Sequence, residues 1–322
     1  SLRYQQEWAS EYLNSFYGLA KYFIAQNQIS IIFGELARAH ESLLNRLCKY
    51  DLNEKCSYLS PNMVRIPNGF FSFFTDETHY QLIGGYNGNH QTFPKFSVVE
   101  KPKYYEQTKE FIRNNYTLRG KVKKISNFIF KVGYDKNDPS KFENRLSDLR
   151  LRLIREVNKE LYKFIRFDKV GALPKNYIFF PLQRYPEASV DVFGRYRESQ
   201  YQNILDLWRV MPNGWGMVVK EHATAIGERP LNFYRELRKF RDIYFVDHNL
   251  DSHELIKNSM VTATVTGTAA LEAALMGKTS IVFGNPFFTR IASVIPVRFK
   301  HFQFSKSWNN FLRAAEMDKD ES

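Results

Sequence analysis

The sequence predicts an α/β protein whose second half folds as a Rossmann-like domain around a parallel sheet. Two observations carry this prediction. Short apolar runs rich in β-branched and aromatic residues alternate with helix-like stretches throughout the second half, and polar residues do not interrupt these runs. The alternation indicates parallel strands joined by crossover helices, and uninterrupted apolar strands indicate a sheet that is covered on both faces.

The predicted elements of the second half follow one another regularly. Strands are expected at 176–183, 214–222, 243–247, 261–266 and 279–284, and helices at 196–211, 230–240, 251–259, 268–276 and 305–320. Pro230 suits the first turn of its helix, because proline lacks the N–H that a first turn leaves unpaired. Asp251 or Ser252 is expected to cap the next helix through a side-chain oxygen.

The first half of the chain is less regular. Helices are expected at 5–26 and 36–50, strands at 29–35, 56–61 and 63–67, and a largely helical pattern at 104–165. A stretch rich in Gly, Pro and polar residues at 168–176 is predicted to be a linker. We therefore expect two domains, residues 1–168, which contain a basic helical insertion, and residues 169–322.

The composition narrows the class of protein. The chain has 322 residues, of which 43% are hydrophobic and 25% charged, as in folded globular proteins. No apolar run approaches the ~20 residues that a membrane-spanning helix needs. The first residues lack the layout of a secretory signal, so we expect a cytoplasmic chain. Cys48 and Cys56 fit no zinc pattern and are expected to be buried thiols.

The net charge of +12 is concentrated in one region. Residues 101–169 hold 19 Lys and Arg against 9 Asp and Glu. Such a region can attract an anionic membrane surface, an anionic acceptor or nucleic acid, and the alternative is a set of solvated helices without a partner. Because no nucleic-acid-binding motif accompanies the charge, we expect no nucleic acid partner.

Polar side chains follow three of the predicted strands, at the edge where open parallel sheets bind ligands. Gln183 and Glu187 follow the first strand, where an amide and a carboxylate can bind a base or sugar hydroxyls. Lys220 and His222 alternate and so share one side of the second strand, where they suit a phosphate or diphosphate. The alternative for Gln183 and Glu187 is an ordinary loop that leaves the first strand. The alternative for the second strand is that Lys220 is solvated and His222 caps the following loop.

The third strand ends in a turn, Thr266-Gly267-Thr268, that opens a helix. Gly267 allows close backbone approach, and the first N–H groups of the helix suit a phosphate. Glu272 lies one turn deeper on the same helix face, where its carboxylate is expected to be either half-buried or directed at ligand hydroxyls. The alternative is a packing turn, with Glu272 capping backbone groups.

Several known motifs are absent from the sequence. It contains no GxxxxGK[ST] loop, no GxGxxG fingerprint, no HExxH pair and no GxSxG nucleophile. The remaining histidines are scattered. We therefore expect no metal and no cofactor, and a phosphate-containing substrate in the crevice formed by the three strand ends.

The segment "TVTGTAALEAALMGKTSIVFG" resembles the C-terminal donor-binding motif of GT-B glycosyltransferases. With "FPLQRYPEAS" and "VVKEH" upstream in that order, the chain is most similar to bacterial capsule and surface-polysaccharide biosynthesis proteins. That group includes Kdo transferases that use a CMP-linked sugar. The resemblance covers about residues 176–288, and Ala223 stands where the Lys-x-His-Pro motif of the group has proline.

The resemblance implies a GT-B-like fold in which two Rossmann-like domains face each other across a cleft. Residues 169–322 would bind the nucleotide sugar, and residues 1–168 would hold a glycan or glycolipid acceptor. The implied donor contacts are Gln183, Glu187, Lys220, His222, Thr266, Gly267, Thr268 and Glu272. The implied activity is transfer of a sugar from a nucleotide donor, such as CMP-Kdo or a related CMP-sugar, without an obligatory metal.

A glycosyltransferase also needs a carboxylate opposite the donor that acts as base or nucleophile. Glu35, which follows an apolar strand, is the candidate, and Asp76 and Glu77 are weaker ones. The alternative for Glu35 is a carboxylate in the first turn of a helix. Two other functions stay open: a sugar-nucleotide epimerase, and a catalytically silent subunit that binds glycan or partner proteins.

Overall fold

A computed structural model of the chain describes residues 6–52, 55–64, 70–76, 82–83, 145–305 and 307–320. In these ranges helices and strands alternate, and one sheet lies in each half. The predicted α/β class is confirmed. The arrangement of two Rossmann-like domains across a cleft stays a prediction, and most of the basic region, residues 101–144, lies outside the described residues.

The first half contains a small mixed sheet. Its helices are Gln6–Gln26 and Ala39–Arg46, and its strands are β1 Ile31–Phe33, β2 Ser57–Val64, β3 Phe70–Phe74 and β4 Leu82–Ile83. β1 and β2 pair in parallel, whereas β2–β3 and β3–β4 pair antiparallel. The sequence had predicted two strands where β2 runs unbroken. The connection 65–69 is too short for a parallel crossover, which needs about a dozen residues, so β2 and β3 form a hairpin.

The core of the first half encloses both cysteines. Cys48 and Cys56 are buried and free, with their Sγ atoms 3.7 Å apart. Burial, reinforced by the contact with Cys56, raises the pKa of the Cys48 thiol to about 12. The prediction of two buried thiols is confirmed.

The second half contains a six-stranded parallel sheet. Its strands are β5 Tyr177–Pro181, β6 Gly216–Lys220, β7 Ile243–Val246, β8 Val261–Thr264, β9 Thr279–Val282 and β10 Val294–Pro296. The order across the sheet is β10-β9-β8-β5-β6-β7. The chain moves outward from β5 to β7, and then returns to the other side of β5 and moves outward again to β10. This is the doubly wound order of a Rossmann fold.

Helices cover this sheet and connect its strands. They are Arg145–Tyr162, Ala188–Asp191, Gln200–Val210, Leu231–Leu237, Ser252–Asn258, Thr268–Leu275, Phe299–Phe304 and Trp308–Asp320. Ile178, Phe179 and Phe180 of β5 are fully buried, as their uninterrupted apolar run predicted. Within the described residues, no helix combines the length and apolar character needed to cross a membrane.

Candidate functional site

The candidate site lies where the strand order reverses, between β5 and β8. These strands pair through Ile178–Val261 and Phe179–Thr262. In doubly wound sheets, ligands bind in the crevice outside the carboxyl ends of the strands at this reversal. The strand order therefore brings the exits of β5 and β8, with their predicted polar residues, to the edge where such sheets bind ligands.

The Gln183 side chain ties these two strand exits together. Its Oε1 accepts hydrogen bonds from Thr264 Oγ1 and from the Thr266 N–H, both at 2.9 Å, and its Nε2 donates to Thr266 Oγ1 at 3.3 Å. The Gln200 amide binds both the N–H and the C=O of Gln183, and Arg229 also donates to that C=O. Most of the hydrogen-bonding capacity of Gln183 is thus used within the protein, and the residue forms part of the crevice floor.

Gly267 is required by close packing and not by an unusual backbone conformation. Its φ of −68° suits any residue. A Cβ built on it would lie 2.7 Å from Thr264 Oγ1 and 3.3 Å from Gln183 Cδ, which is too close for an ordinary contact. This observation favours the packing-turn alternative for Gly267. Thr268 begins the next helix as predicted, and the N–H groups of Thr268 and Ala269 have no acceptor among the described residues.

Glu187 lies on the outer side of the β5 exit. It is exposed, and its Oε2 accepts a hydrogen bond from Ser189 Oγ at 3.0 Å. The loop before it is held by Glu228, which pairs with Arg184 at 3.0 Å and accepts from the Tyr185 N–H at 3.4 Å. Glu187 therefore keeps one carboxylate oxygen for another partner.

Lys220 and His222 lie at the end of β6. Lys220 is only 8% exposed, and its Nζ donates to Ser252 Oγ at 2.7 Å, so the alternative of a solvated lysine is wrong. His222 Nδ1 accepts from the Thr224 N–H at 3.3 Å, so this histidine caps the following loop. Because Nδ1 is an acceptor there, the neutral ring carries its proton on Nε2, which remains a donor for a ligand.

The electrostatic surroundings of His222 favour the neutral ring. Although the residue is exposed, the dense protein around its imidazole lowers its pKa from the ordinary value of 6.5. The carboxylate of Glu187 raises the pKa, Arg184 and Lys220 lower it, and Glu228 raises it again. Since desolvation dominates, His222 is a neutral hydrogen-bond donor at neutral pH.

Glu272 pairs with a residue that the sequence analysis did not single out. Its Oε2 lies 3.1 Å from His253 Nε2, and each side chain is 17% exposed. Among the described residues Glu272 caps no backbone group, so that alternative is wrong. The pair joins two helices that are adjacent in space but distant in sequence, and the spacing of the histidines gave no signal for it.

A buried charged cluster supports the crevice from below. Glu221, 3% exposed, accepts from Arg229 Nη1 at 2.7 Å, from the His222 N–H at 2.7 Å, and from the Tyr234 hydroxyl. Burial raises the pKa of Glu221, against the lowering effect of the Arg229 charge and of these hydrogen bonds. The sequence held a signal for this cluster, since Glu221 alternates with Lys220 and His222 and so points to the covered face of the sheet.

The two first-half candidates that the structure describes both follow strands of the mixed sheet. Glu35 is exposed just beyond β1, and Asp76 is partly buried beyond β3, while Glu77 lies outside the described residues. The helix begins only at Ala39, and its first-turn carboxylate is Glu41, which accepts from two backbone N–H groups at 2.9 and 2.7 Å. The alternative role of Glu35 in the first turn of a helix is therefore wrong, and its catalytic role stays a prediction.

Metal-binding groups were sought among the side chains that the structure describes. In that part of the chain, no three His, Cys, Asp or Glu side chains come together in a way that could hold a metal ion. The expectation of metal-independent chemistry stays a prediction.

The sequence matches a known protein family over residues 92–292, more than half of the chain. The family is described as "Capsule polysaccharide biosynthesis protein". The chain belongs to this family. The three strand exits that form the crevice all lie within the matched residues, whereas Glu35 and Asp76 lie before them.

This capsule-family chain is also similar to several solved structures. One is the β-Kdo 2,7 transferase KpsC of Thermosulfurimonas dismutans, at 22% identity over 54% of this chain and 53% of that one, with a TM-score of 0.30. Another is the UDP-GlcNAc 2-epimerase of Methanocaldococcus jannaschii, at 12% identity over 96% and 74% of the chains, with a TM-score of 0.33. The wall teichoic acid polymerase TagF matches at 12% identity over 99% and 90%, with a TM-score of 0.29.

These similarities have a limited reach. The chain spans about half the length of the KpsC protein named above. TM-scores near 0.3 are too low to transfer a domain arrangement to this chain. No curated protein sequence matches it.

Proposed function

We propose that this capsule-family protein is a glycosyltransferase that moves a sugar from a nucleotide donor to a bacterial capsule or surface glycan. The observation that carries the proposal is the strand order of a doubly wound sheet, in which β6 and β8 flank β5, so that Lys220, His222 and the start of the helix Thr268–Leu275 all lie at the carboxyl edge. The proposal is also supported by the family to which the chain belongs, which is described as "Capsule polysaccharide biosynthesis protein".

The crevice suits the departure of a nucleotide phosphate. When the bond between the sugar and the phosphate breaks, negative charge grows on the phosphate oxygens. The Lys220 ammonium, the His222 Nε2–H and the first N–H groups of the helix are preorganised donors for that charge. These groups need no reorganisation during the reaction, because Lys220 and His222 are already held by Ser252 and Thr224.

The remaining predicted contacts supply orientation. Glu272 accepts hydrogen bonds from donor hydroxyls, and Glu187 does so at the outer rim. The donor we propose is a CMP-linked sugar such as CMP-Kdo, on the strength of the motif resemblance. Glu35 then takes the proton of the acceptor hydroxyl, or attacks the sugar as a nucleophile.

Nucleotide binding tests this function. We expect thermal unfolding of the full chain to shift upward with CMP, compared with UDP, GDP and ADP. The variants Lys220→Ala and His222→Ala should weaken binding about tenfold each, the typical cost of a charge-assisted hydrogen bond. Lys239→Ala is the matched control, because Lys239 is exposed and, among the described residues, forms an ion pair only with Glu236.

The outcome separates the competing functions. Stabilisation by none of the four nucleotides contradicts the proposal and favours the catalytically silent subunit. Interconversion of a UDP-sugar without transfer to an acceptor favours the epimerase.

We also propose that the helix Arg145–Tyr162 contacts an anionic membrane surface. Exposed apolar side chains recur at a spacing of four along it, at Leu149, Leu153, Val157 and Leu161. The exposed basic residues around them are Arg150, Arg152, Arg155, Lys163 and Arg166, against the exposed acidic residues Glu156 and Glu160. An apolar face bordered by basic residues suits the interface of an anionic bilayer.

Vesicle sedimentation tests this contact. We expect the chain to bind phosphatidylcholine vesicles that contain phosphatidylglycerol, and to lose most of that binding on replacement of both Leu153 and Val157 by Ser. Met317→Ser is the control, since Met317 is equally exposed on another helix. Unchanged vesicle binding by the double variant contradicts the proposal. A double variant that changes its oligomeric state but still binds vesicles contradicts it as well.

A further inference from the structure

The first turn of the helix Ser252–Asn258 contacts two of the predicted donor contacts at once. Ser252 Oγ accepts a hydrogen bond from Lys220 Nζ at 2.7 Å. The next residue, His253, places its Nε2 3.1 Å from Glu272 Oε2. Neither Ser252 nor His253 belongs to the motifs that carry the family resemblance, yet the pair joins the end of β6 to the helix after β8.

This first turn is held in place by its own contacts. Asp251 caps the helix, with Oδ1 accepting from the His253 N–H at 2.9 Å. Leu255 and Ile256, one turn further on, are buried in the core. The helix follows β7, so its first turn lies at the same carboxyl edge of the sheet as the end of β6. Ser252 and His253 therefore present fixed hydrogen-bonding groups at the crevice.

We propose that Ser252 and His253 are positioning residues for the donor, an inference that rests on the proposed function. Ser252 fixes Lys220 for the phosphate, and His253 fixes Glu272 for the ribose hydroxyls of the nucleotide.

The chemistry of each side chain supports its part. A lysine side chain loses much rotamer freedom when it is ordered, and the Ser252 hydroxyl selects one position of the ammonium before a ligand arrives. The His253 imidazole lies against the Glu272 carboxylate, with Nε2 3.1 Å from Oε2, and this contact limits the positions that the carboxylate can take. Within the described residues, Glu272 Oε1 has no hydrogen-bond partner, and this oxygen is the one available to a ligand hydroxyl.

The two residues should have separable effects on binding. Loss of His253 releases Glu272 and removes the contribution of the ribose hydroxyls, while the phosphate contacts remain. Loss of Ser252 removes the hydrogen bond that orients the Lys220 ammonium and weakens binding of the phosphate, while discrimination at the ribose remains. A residue with a merely structural role would lower the affinity for the nucleotides, for their dideoxy forms and for the phosphate-free nucleosides by the same factor.

Calorimetry on the full chain provides the test, with CMP, UDP and their 2′,3′-dideoxy counterparts as probes. We expect the wild type to bind at least one ribonucleotide about tenfold more tightly than its dideoxy form, as one hydrogen bond to a charged group allows. His253→Ala should bring this ratio close to one, and His253→Gln, whose amide can donate in place of Nε2, should restore part of it. Ser252→Ala should weaken the same ribonucleotide and leave the ratio unchanged, and it should also leave the affinity for the corresponding nucleoside, which has no phosphate, unchanged.

The controls separate this inference from the proposed function. Lys257→Ala is the matched control, because Lys257 is exposed at the other end of the same helix. If the wild type binds a ribonucleotide and His253→Ala keeps the full preference over the dideoxy form, the inference is overturned and the proposed function stands. If the wild type binds none of the probes, both are overturned.

Discussion

At the scale of single residues, the side chains of the crevice bind one another and so fix its shape before any ligand does. The side-chain oxygen of Gln183 accepts hydrogen bonds from the Thr264 hydroxyl and from the Thr266 N–H. A residue larger than glycine does not fit at position 267, because the side chains of Thr264 and Gln183 lie against it. A residue that appears in a binding motif can therefore be required for the shape of the site, and variants at such positions report on folding as well as on binding.

Gly267→Ala tests this packing role. We expect the added methyl group to destabilise the fold by about 1–3 kcal/mol, the usual cost of overpacking, because Thr264 and Gln183 must move. Denaturant unfolding measures the effect. Gly18→Ala is the control, since a Cβ at Gly18 meets nothing within 4 Å and alanine is the better helix former. A Gly267→Ala protein as stable as the wild type would contradict the packing role.

At the scale of elements, the end of β6 divides its residues between two environments. Lys220 and His222 belong to the crevice, whereas Glu221 between them points to the interior and pairs with Arg229. The Arg229 guanidinium also donates to the Gln183 C=O, so the exits of β5 and β6 are joined from below. This buried pair fixes the separation of two strand ends that carry predicted donor contacts.

Arg229→Met tests the buried pair. We expect a loss of about 3–5 kcal/mol in the free energy of unfolding, because the substitution leaves Glu221 buried without its partner. The double variant Glu221→Gln with Arg229→Met should recover a large part of that loss, since no unpaired charge remains. Denaturant unfolding of both variants and of the wild type measures this. If Arg229→Met and the double variant have the same free energy of unfolding, the pairing argument is contradicted.

The sequence predicted the elements of the second half better than their contacts. The strands β5 to β9 and the longer helices between them lie where apolar runs and capping residues predicted them, because those signals are local, whereas the short helix Ala188–Asp191 was not predicted. The pair Glu272–His253 and the anchoring of Gln183 by Gln200 depend on the strand order, which no local pattern encodes. In the first half, the sequence pattern favours two separate strands at 56–61 and 63–67. The structure has one strand there, β2, and the short connection that follows it is typical of a hairpin.

At the scale of the whole molecule, the two halves carry different parts of the proposed chemistry. The predicted donor contacts lie at the edge of the six-stranded sheet, and Glu35 lies beyond β1 on the mixed sheet. The Phe74 ring of β3 lies 6.4 Å from the Phe287 ring that follows β9, so the mixed sheet contacts the second half. The proposed transfer needs both sheets, while nucleotide binding needs only the second.

Glu35→Gln tests this division of roles. We expect sugar transfer to fall by about 10²–10⁴-fold, the usual contribution of a general base, while nucleotide affinity stays unchanged. A transfer assay with a CMP-sugar and calorimetry with CMP measure the two quantities. Glu11→Gln is the control, since Glu11 is an exposed carboxylate on a helix of the same half. Full transfer activity in Glu35→Gln would contradict the catalytic assignment and leave Asp76 as the next candidate.

The adjacency of β5 and β8 also sets the order in which the crevice can assemble. Gln183 and Thr266 are 83 residues apart in the chain, and β6 and β7 lie between them. During synthesis, β5, β6 and β7 leave the ribosome and can pair before β8 exists, whereas the hydrogen bonds of Gln183 must wait for a long loop to close. The crevice is therefore among the last parts of the sheet to form. The proposed nucleotide binding would consequently report on a second half that is folded at least as far as β8, more strictly than its helix and strand content does.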